Sequence, residues 1–149
     1  MINNFKKSAY LLVIIGFNSA LAGSYDDFFI AIKRDNASTV HALLARGFDP
    51  NTVDPNGVPG LILAVREPSP RTLEVLLAAP DLKAEVRNAN DESPLMLAAL
   101  QGNLALVRRL LALNADVNKP GWAPLHYAAT HGHLDVMRLL LEHHAYIDA

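Results

Sequence analysis

Cysteine is absent from this 149-residue chain. Its absence excludes a disulfide scaffold, a thiolate nucleophile and every Cys-based zinc or iron–sulfur site. Excess charge of one sign is missing too. Thirteen Lys and Arg face 15 Asp and Glu, for a formal net charge of −2, so there is neither a basic footprint for a nucleic acid nor an acidic tail. Long hydrophobic runs are lacking: the run from Ala9 to Phe17 has nine residues, far short of the roughly 20 that a membrane-crossing helix needs. Glycines occur singly, which leaves no phosphate-cradling loop. Ser24, Ser38, Ser69 and Ser93 sit at the start of the chain, in helix connections or at turns, and none lies in a strand-turn-helix elbow. What is plentiful is apolar material, 51 % of residues, enough for a packed core and against disorder.

Residues 1–22 differ from the rest. Lys6 and Lys7 precede the nine-residue apolar run, no acid occurs, and Asn18-Ser19-Ala20-Leu21-Ala22 closes the segment with small side chains at Ala20 and Ala22. That is the layout of a secretory signal peptide, with cleavage expected after Ala22. Its removal takes the chain from 149 to 127 residues and the net charge from −2 to −4, because two lysines leave and no acid does. A periplasmic or secreted location is expected, and the lack of cysteine suggests the bacterial periplasm.

The remainder repeats itself. Pro59-Gly60-Leu61-Ile62-Leu63-Ala64-Val65, Ser93-Pro94-Leu95-Met96-Leu97-Ala98-Ala99 and Ala123-Pro124-Leu125-His126-Tyr127-Ala128-Ala129 align with one another, and a degenerate copy starts at Asp26. The starts are spaced by 33, 34 and 30 residues. A second series runs in step: Val40-His41-Ala42-Leu43-Leu44, Leu73-Glu74-Val75-Leu76-Leu77, Val107-Arg108-Arg109-Leu110-Leu111 and Val136-Met137-Arg138-Leu139-Leu140. Each unit thus holds two short helical stretches, a tight turn and a polar loop. Between the helices of the second unit, Ser69 is expected to cap and Pro70 to take the first helical position. Alanines in the first helices permit close approach, and the Leu-rich second helices are expected to supply most of the buried area, effective only when units stack.

The run from Ala123 to Val136 resembles an ankyrin repeat, of pattern TPLHxAAxxGHxxVxxLL. Asn114-Ala115-Asp116-Val117-Asn118 and Gly47-Phe48-Asp49-Pro50-Asn51 are similar to the family's GADVN segment. The resemblance covers residues 25–149 and implies an all-α solenoid of about four helix-turn-helix units with short β-hairpin loops, approximately 25–57, 58–90, 91–120 and 121–149. Departures are informative. Ala123 lacks the hydroxyl that Ser93 retains, Asp81-Leu82-Lys83-Ala84-Glu85 replaces GADVN, and Lys119-Pro120-Gly121-Trp122 is three residues short, so a stunted hairpin is expected there.

The resemblance implies a non-enzymatic module without cofactors that binds a protein partner through hairpin tips and the exposed ends of the first helices. Carried over by position, the tip sites are Pro55, Asn56, Val58, Ala89, Asn90, Glu92 and Trp122, and the helix sites are Arg66, Glu67, Leu100, Gln101, Thr130 and His131. Their mixed charge suits a protein better than a polyanion. Trp122, the only tryptophan, stands out as a hot-spot candidate, against the alternative that it folds back over the Pro124 turn. A rival reading is a metal-binding protein or hydrolase built on His131, His133 and Asp135, whose H-x-H-x-D spacing occurs in metallohydrolases. Against it, His126 and His133 fill ordinary repeat positions. His144 stands where the family has glycine at a helix end, a position suited to left-handed backbone.

The two ends differ. Asp26, Asp27, Lys33, Arg34, Asp35 and Asn36 polarise the first unit as a terminal cap requires. The last unit keeps Leu139-Leu140-Leu141 and reaches Tyr146-Ile147-Asp148-Ala149, where another hairpin would begin. Further repeats, a partner or a second copy are therefore expected over that face.

Overall fold

The computed structural model describes residues 23–147. The expected signal peptide and its cleavage position, like Asp148 and Ala149, lie outside the described residues. The fold is a predominantly helical repeat solenoid of four antiparallel helix pairs: α1 (23–33) with α2 (Ala37–Ala45), α3 (Gly60–Arg66) with α4 (Pro70–Leu77), α5 (Pro94–Gln101) with α6 (Leu104–Ala112), and α7 (Pro124–Thr130) with α8 (Leu134–Glu142).

Local chemistry sets the starts of these helices. Pro70, Pro94 and Pro124 each open a helix, where the missing N–H costs nothing. The Asn36 and Asn103 side chains accept from the Thr39 and Leu106 amides at 3.2 and 3.1 Å. Ser93 Oγ accepts from the Met96 amide at 3.2 Å. In the fourth unit the missing hydroxyl at Ala123 is half compensated, because His126 Nδ1 accepts the Ala123 N–H at 3.0 Å.

Ser69 departs from expectation. It stands before α4, but its buried hydroxyl donates to the Ile32 carbonyl of the first unit at 2.7 Å and makes no cap bond. The first turn of α4 is served from outside instead. Asp35, held at a left-handed φ of 50°, accepts the Thr72 amide at 2.8 Å and pairs with Arg71. An acid expected to solubilise the end unit is therefore a cap supplied across the unit boundary.

Packing divides the two helices of each interior unit. Every residue from Gly60 to Val65 in α3 and from Pro94 to Ala99 in α5 is buried, whereas α4 and α6 each bury only three residues. First helices are sandwiched between neighbours, α3 against α5 and α5 against α7. The Leu-rich second helices cover one face only, with Leu73, Leu104 and Leu111 half-buried at its edge. Within the second unit, Leu63, Ala64 and Leu76 join the core shared with α1 and α2, while Leu61, Ile62, Val65 and Leu77 join the core that continues to α8. Stability accordingly runs from neighbour to neighbour rather than through one centre. Gly60, standing where the motif has proline, lets the buried Phe28 ring lie against the backbone: a Cβ there would meet Phe28 Cε1 at 2.7 Å.

The loops contain less β structure than expected. Among the described residues there is no strand, only an isolated antiparallel bridge between Val53 and Pro59. Side chains shape the tips. Asp54 accepts from the Asn56 and Val58 amides, both at 2.9 Å, with Gly57 at φ 75°. Asn88 accepts likewise from Asn90 and Glu92 at 3.0 Å, with Asp91 at φ 60°. Neighbouring loops are stitched by a ladder. Asn51 accepts from the Lys83 amide and donates to the Asp81 carbonyl, both at 2.8 Å; Asn118 does the same with Tyr146 and His144, at 2.8 and 2.9 Å. Glu85 fills the intervening rung, accepting the Asp116 amide at 2.9 Å, so the apparent loss of the GADVN asparagine is a substitution of one acceptor for another.

Candidate functional site

Pro55, Asn56, Ala89 and Asn90 are exposed at the turns, and Arg66, Gln101, Thr130 and His131 are exposed at helix ends, with Glu67 and Leu100 partly covered. The structure brings Arg66, Glu67 and Gln101 together along an open hollow of about 380 Å³ at the α3–α4 turn. Gln101 is anchored there, its amide donating to the Val65 carbonyl at 2.8 Å.

Two of the expected tip residues have structural duties. Val58 is half-buried and packs against both cores. Glu92 accepts from Asn88 Nδ2 at 2.8 Å and from the Tyr127 hydroxyl at 3.3 Å, which ties the third loop to α7. Each lies beside a tip turn whose closing bonds draw it inward, a consequence that position in a repeat does not reveal.

Trp122 combines both readings that the sequence leaves open. It is 61 % exposed, yet its ring rests 5.8 Å from His126 and edge-on to Tyr127 at 5.9 Å. The shortened loop places it there, with Gly121 at φ 78° turning the chain. Lys119 pairs with Asp91 and also donates to its carbonyl at 3.2 Å, and Arg87 donates to that same carbonyl at 3.1 Å. Burial pushes the Tyr127 phenol above its ordinary range, aided by the nearby Glu92 carboxylate, so at neutral pH it stays a hydrogen-bond donor. His126 and Tyr127 thus form the platform on which Trp122 rests.

Two carboxylates lie below their ordinary range. Asp91 is lowered chiefly by the hydrogen bond from Lys119, against partial desolvation. At Asp35 partial desolvation pushes upward, but the Thr72 amide and Arg71 outweigh it. Each therefore adds stability that is present above the unfolded-state value near pH 4 and is lost as pH falls through the lower folded value. Urea midpoints are expected to drop between about pH 5 and pH 3, and Asp35→Asn and Asp91→Asn should each flatten that drop. Parallel curves for the variants and the parent would remove both residues from the account.

The His131, His133 and Asp135 cluster does not converge. The two rings stack 5.9 Å apart, but His133 Nε2 lies 2.9 Å from the Leu100 carbonyl, and Asp135 sits in the first turn of α8. Among the described residues no group of three or more His, Asp or Glu is placed to hold a metal ion. His133 instead lies over the left-handed Gly102, whose missing Cβ leaves room for the ring. Also among the described residues, no helix is long and apolar enough to cross a membrane.

Stacked helix pairs joined by turn-shaped loops, with exposed side chains at the turns and helix ends, define a helical repeat scaffold, a class that works by presenting surface. A family model described as ankyrin repeats, in three copies, matches residues 61–149. The chain belongs to the ankyrin repeat family, whose modules generally bind other proteins and are typically non-enzymatic. Its relatives are diverse. The chain is 32 % identical over 117 residues to the B-cell lymphoma 3 protein homolog of Mus musculus, covering 74 % of this chain and 26 % of that protein. Identity is 28 % over 122 residues with Transient receptor potential cation channel subfamily A member 1 of Homo sapiens, covering 78 % and 11 %. With Glycerophosphocholine phosphodiesterase GDE1 of Candida albicans it is 27 % over 135 residues, covering 86 % and 12 %. The chain thus spans about a quarter or less of these relatives, and the channel and phosphodiesterase functions in their names belong to far larger proteins.

Proposed function

We propose that this protein is an exported, non-catalytic interaction scaffold of four ankyrin units whose partner protein seats on the loop tips and first-helix ends, with Trp122 as its anchor. The observation that carries this reading is a tryptophan 61 % exposed yet steadied by His126 and Tyr127. Such a side chain offers a large apolar area with little rotamer entropy left to lose on binding. Asn56, Asn90, Arg66, Gln101, Thr130 and His131 supply polar contacts around it; Val58, Glu92, Glu67 and Leu100 contribute mainly by holding the surface in shape. Export rests on the layout of residues 1–22, with cleavage after Ala22 placing the mature chain in the periplasm or outside the cell.

The test is affinity capture from a periplasmic extract of the source cells, run in parallel with the parent chain and Trp122→Ala. Loss of a specific captured protein, at least tenfold in apparent affinity as expected for a hot spot of about 2 kcal/mol, supports the reading if circular dichroism is unchanged. Equal capture by both chains overturns the role of Trp122. N-terminal sequencing of the protein recovered from cells tests export, with Gly23 expected as the first residue.

A further inference from the structure

Repeat symmetry provides a control for the end of each first helix. A helix leaves its last carbonyls without intrahelical donors, and a left-handed residue just past the end brings two amides back to two of them. Three units do this alike. The amides of Asp35 and Asn36 reach the carbonyls of Ile32 and Ala31 at 3.0 and 2.8 Å, those of Gly102 and Asn103 reach Ala99 and Ala98 at 3.1 and 3.0 Å, and those of Gly132 and His133 reach Ala129 and Ala128 at 3.1 and 3.0 Å. Asp35, Gly102 and Gly132 all stand at positive φ.

The second unit departs from this pattern. Pro68, 34 residues before Gly102, holds the equivalent position, where its ring keeps φ at about −65° and it has no N–H to give. Glu67 before it is extended, at φ −80° and ψ 144°, and the Ser69 amide turns to the Glu67 carbonyl at 2.7 Å. The carbonyls of Ala64 and Val65 therefore lose both donors. Val65 is rescued by the Gln101 side chain of the next unit at 2.8 Å. The Ala64 carbonyl receives no donor among the described residues, although Ala64 is only 2 % exposed. Pro70 likewise has no N–H for the Arg66 carbonyl four residues earlier. Buried carbonyls are seldom left in this condition.

These groups border the hollow of about 380 Å³ at the α3–α4 turn, which Ala64, Arg66 and Glu67 line together with Leu73 and Leu106. Its chemistry is one-sided. The C-terminal end of α3 carries partial negative charge, the two carbonyls can only accept, and Glu67 adds a carboxylate. Arg66 itself is exposed and donates to none of these acceptors. A guanidinium suits such a site: it is all donor, it offers its N–H groups in a planar fork that can serve carbonyls and a carboxylate at once, and its aliphatic stem matches Leu73 and Leu106.

We propose that this hollow takes an arginine side chain of the partner protein, its guanidinium donating to the Ala64 and Arg66 carbonyls beside Glu67. The assignment gives the partner a chemistry and so rests on the scaffold reading.

The test is an NMR titration of the intact chain with N-acetyl-arginine amide, using N-acetyl-citrulline amide as the uncharged isostere. Saturable shifts of the Ala64 and Arg66 carbonyl carbons are expected with the arginine compound, and binding about tenfold weaker with citrulline, as for one hydrogen bond that loses its charge. Glu67→Gln should weaken the arginine response. Pro68→Gly should restore the two backbone bonds of the other units and abolish the response while helical circular dichroism is unchanged; Trp122→Ala should respond like the parent. Absence of saturable shifts, an equal response to both compounds, or a response that survives in Pro68→Gly overturns the proposal. The titration needs no partner, so its failure is told apart from failure of the capture experiment.

Discussion

Gly102→Ala is expected to destabilise the protein by about 2 to 4 kcal/mol, a large loss from one methyl group. Gly102 closes α5 at φ 67° and ψ 23°, a left-handed conformation that costs an L-residue about 1 to 2 kcal/mol. The added Cβ would also lie 2.5 Å from His133 Nδ1. The ring has to leave, and with it goes the bond between Nε2 and the Leu100 carbonyl, worth about 1 kcal/mol. Because that bond joins the third and fourth units, the damage should be local. Hydrogen exchange should show faster amides in α7 and α8 before any change in α3 or α4. The double variant Gly102→Ala with His133→Ala should recover the steric part and leave the backbone part. Full additivity of the two single changes in urea melts would show that the ring and the glycine do not interact.

Leu110→Ala should cost about 2 to 5 kcal/mol through lost transfer energy and the cavity left behind. Leu110 is fully buried in α6, in the core cluster that includes Leu106, Val107 and Ala115. It sits in an interior unit with a neighbour on each side, so its removal weakens two junctions and should split the urea transition into separate steps. Leu113→Ala, one turn further on at a 40 % exposed position, should change stability by less than about 0.5 kcal/mol. Similar melts for the two variants would contradict the layered core described here.

The two substitutions mark the border between what the chain displays and what it conceals. Leu110 is visible as a core residue because a Val or Leu followed three and four residues later by Leu-Leu returns in all four units, and a period of that kind has few physical origins besides a buried helix stripe. Gly102 is visible as a helix stop. Its service to His133 is not, since the ring comes from the next unit, 31 residues later. The same holds for Ser69, whose place before a Pro-started helix suggests a cap while its hydroxyl bonds Ile32, and for Glu85, which looks like a lost asparagine and accepts from Asp116. Among the surface candidates, exposure at Asn56, Asn90, Trp122 and His131 follows from their place in the unit. Glu92 is drawn inward by Tyr127 of the following unit, information that no single repeat contains.

The sequence by itself determined the repeat, its helix pairs, the residues that start and stop them, and the shortened loop that exposes Trp122. These follow from contacts within about a dozen residues, where periodicity, capping and turn chemistry act. Tertiary structure alone decided which faces are covered: the sandwiched first helices, Asp35 capping a helix of the next unit, Leu139 and Leu140 inside while Leu134 and Leu141 remain outside. In a stack each unit buries its surface against a neighbour about 33 residues away, and local pattern cannot say whether that neighbour is present.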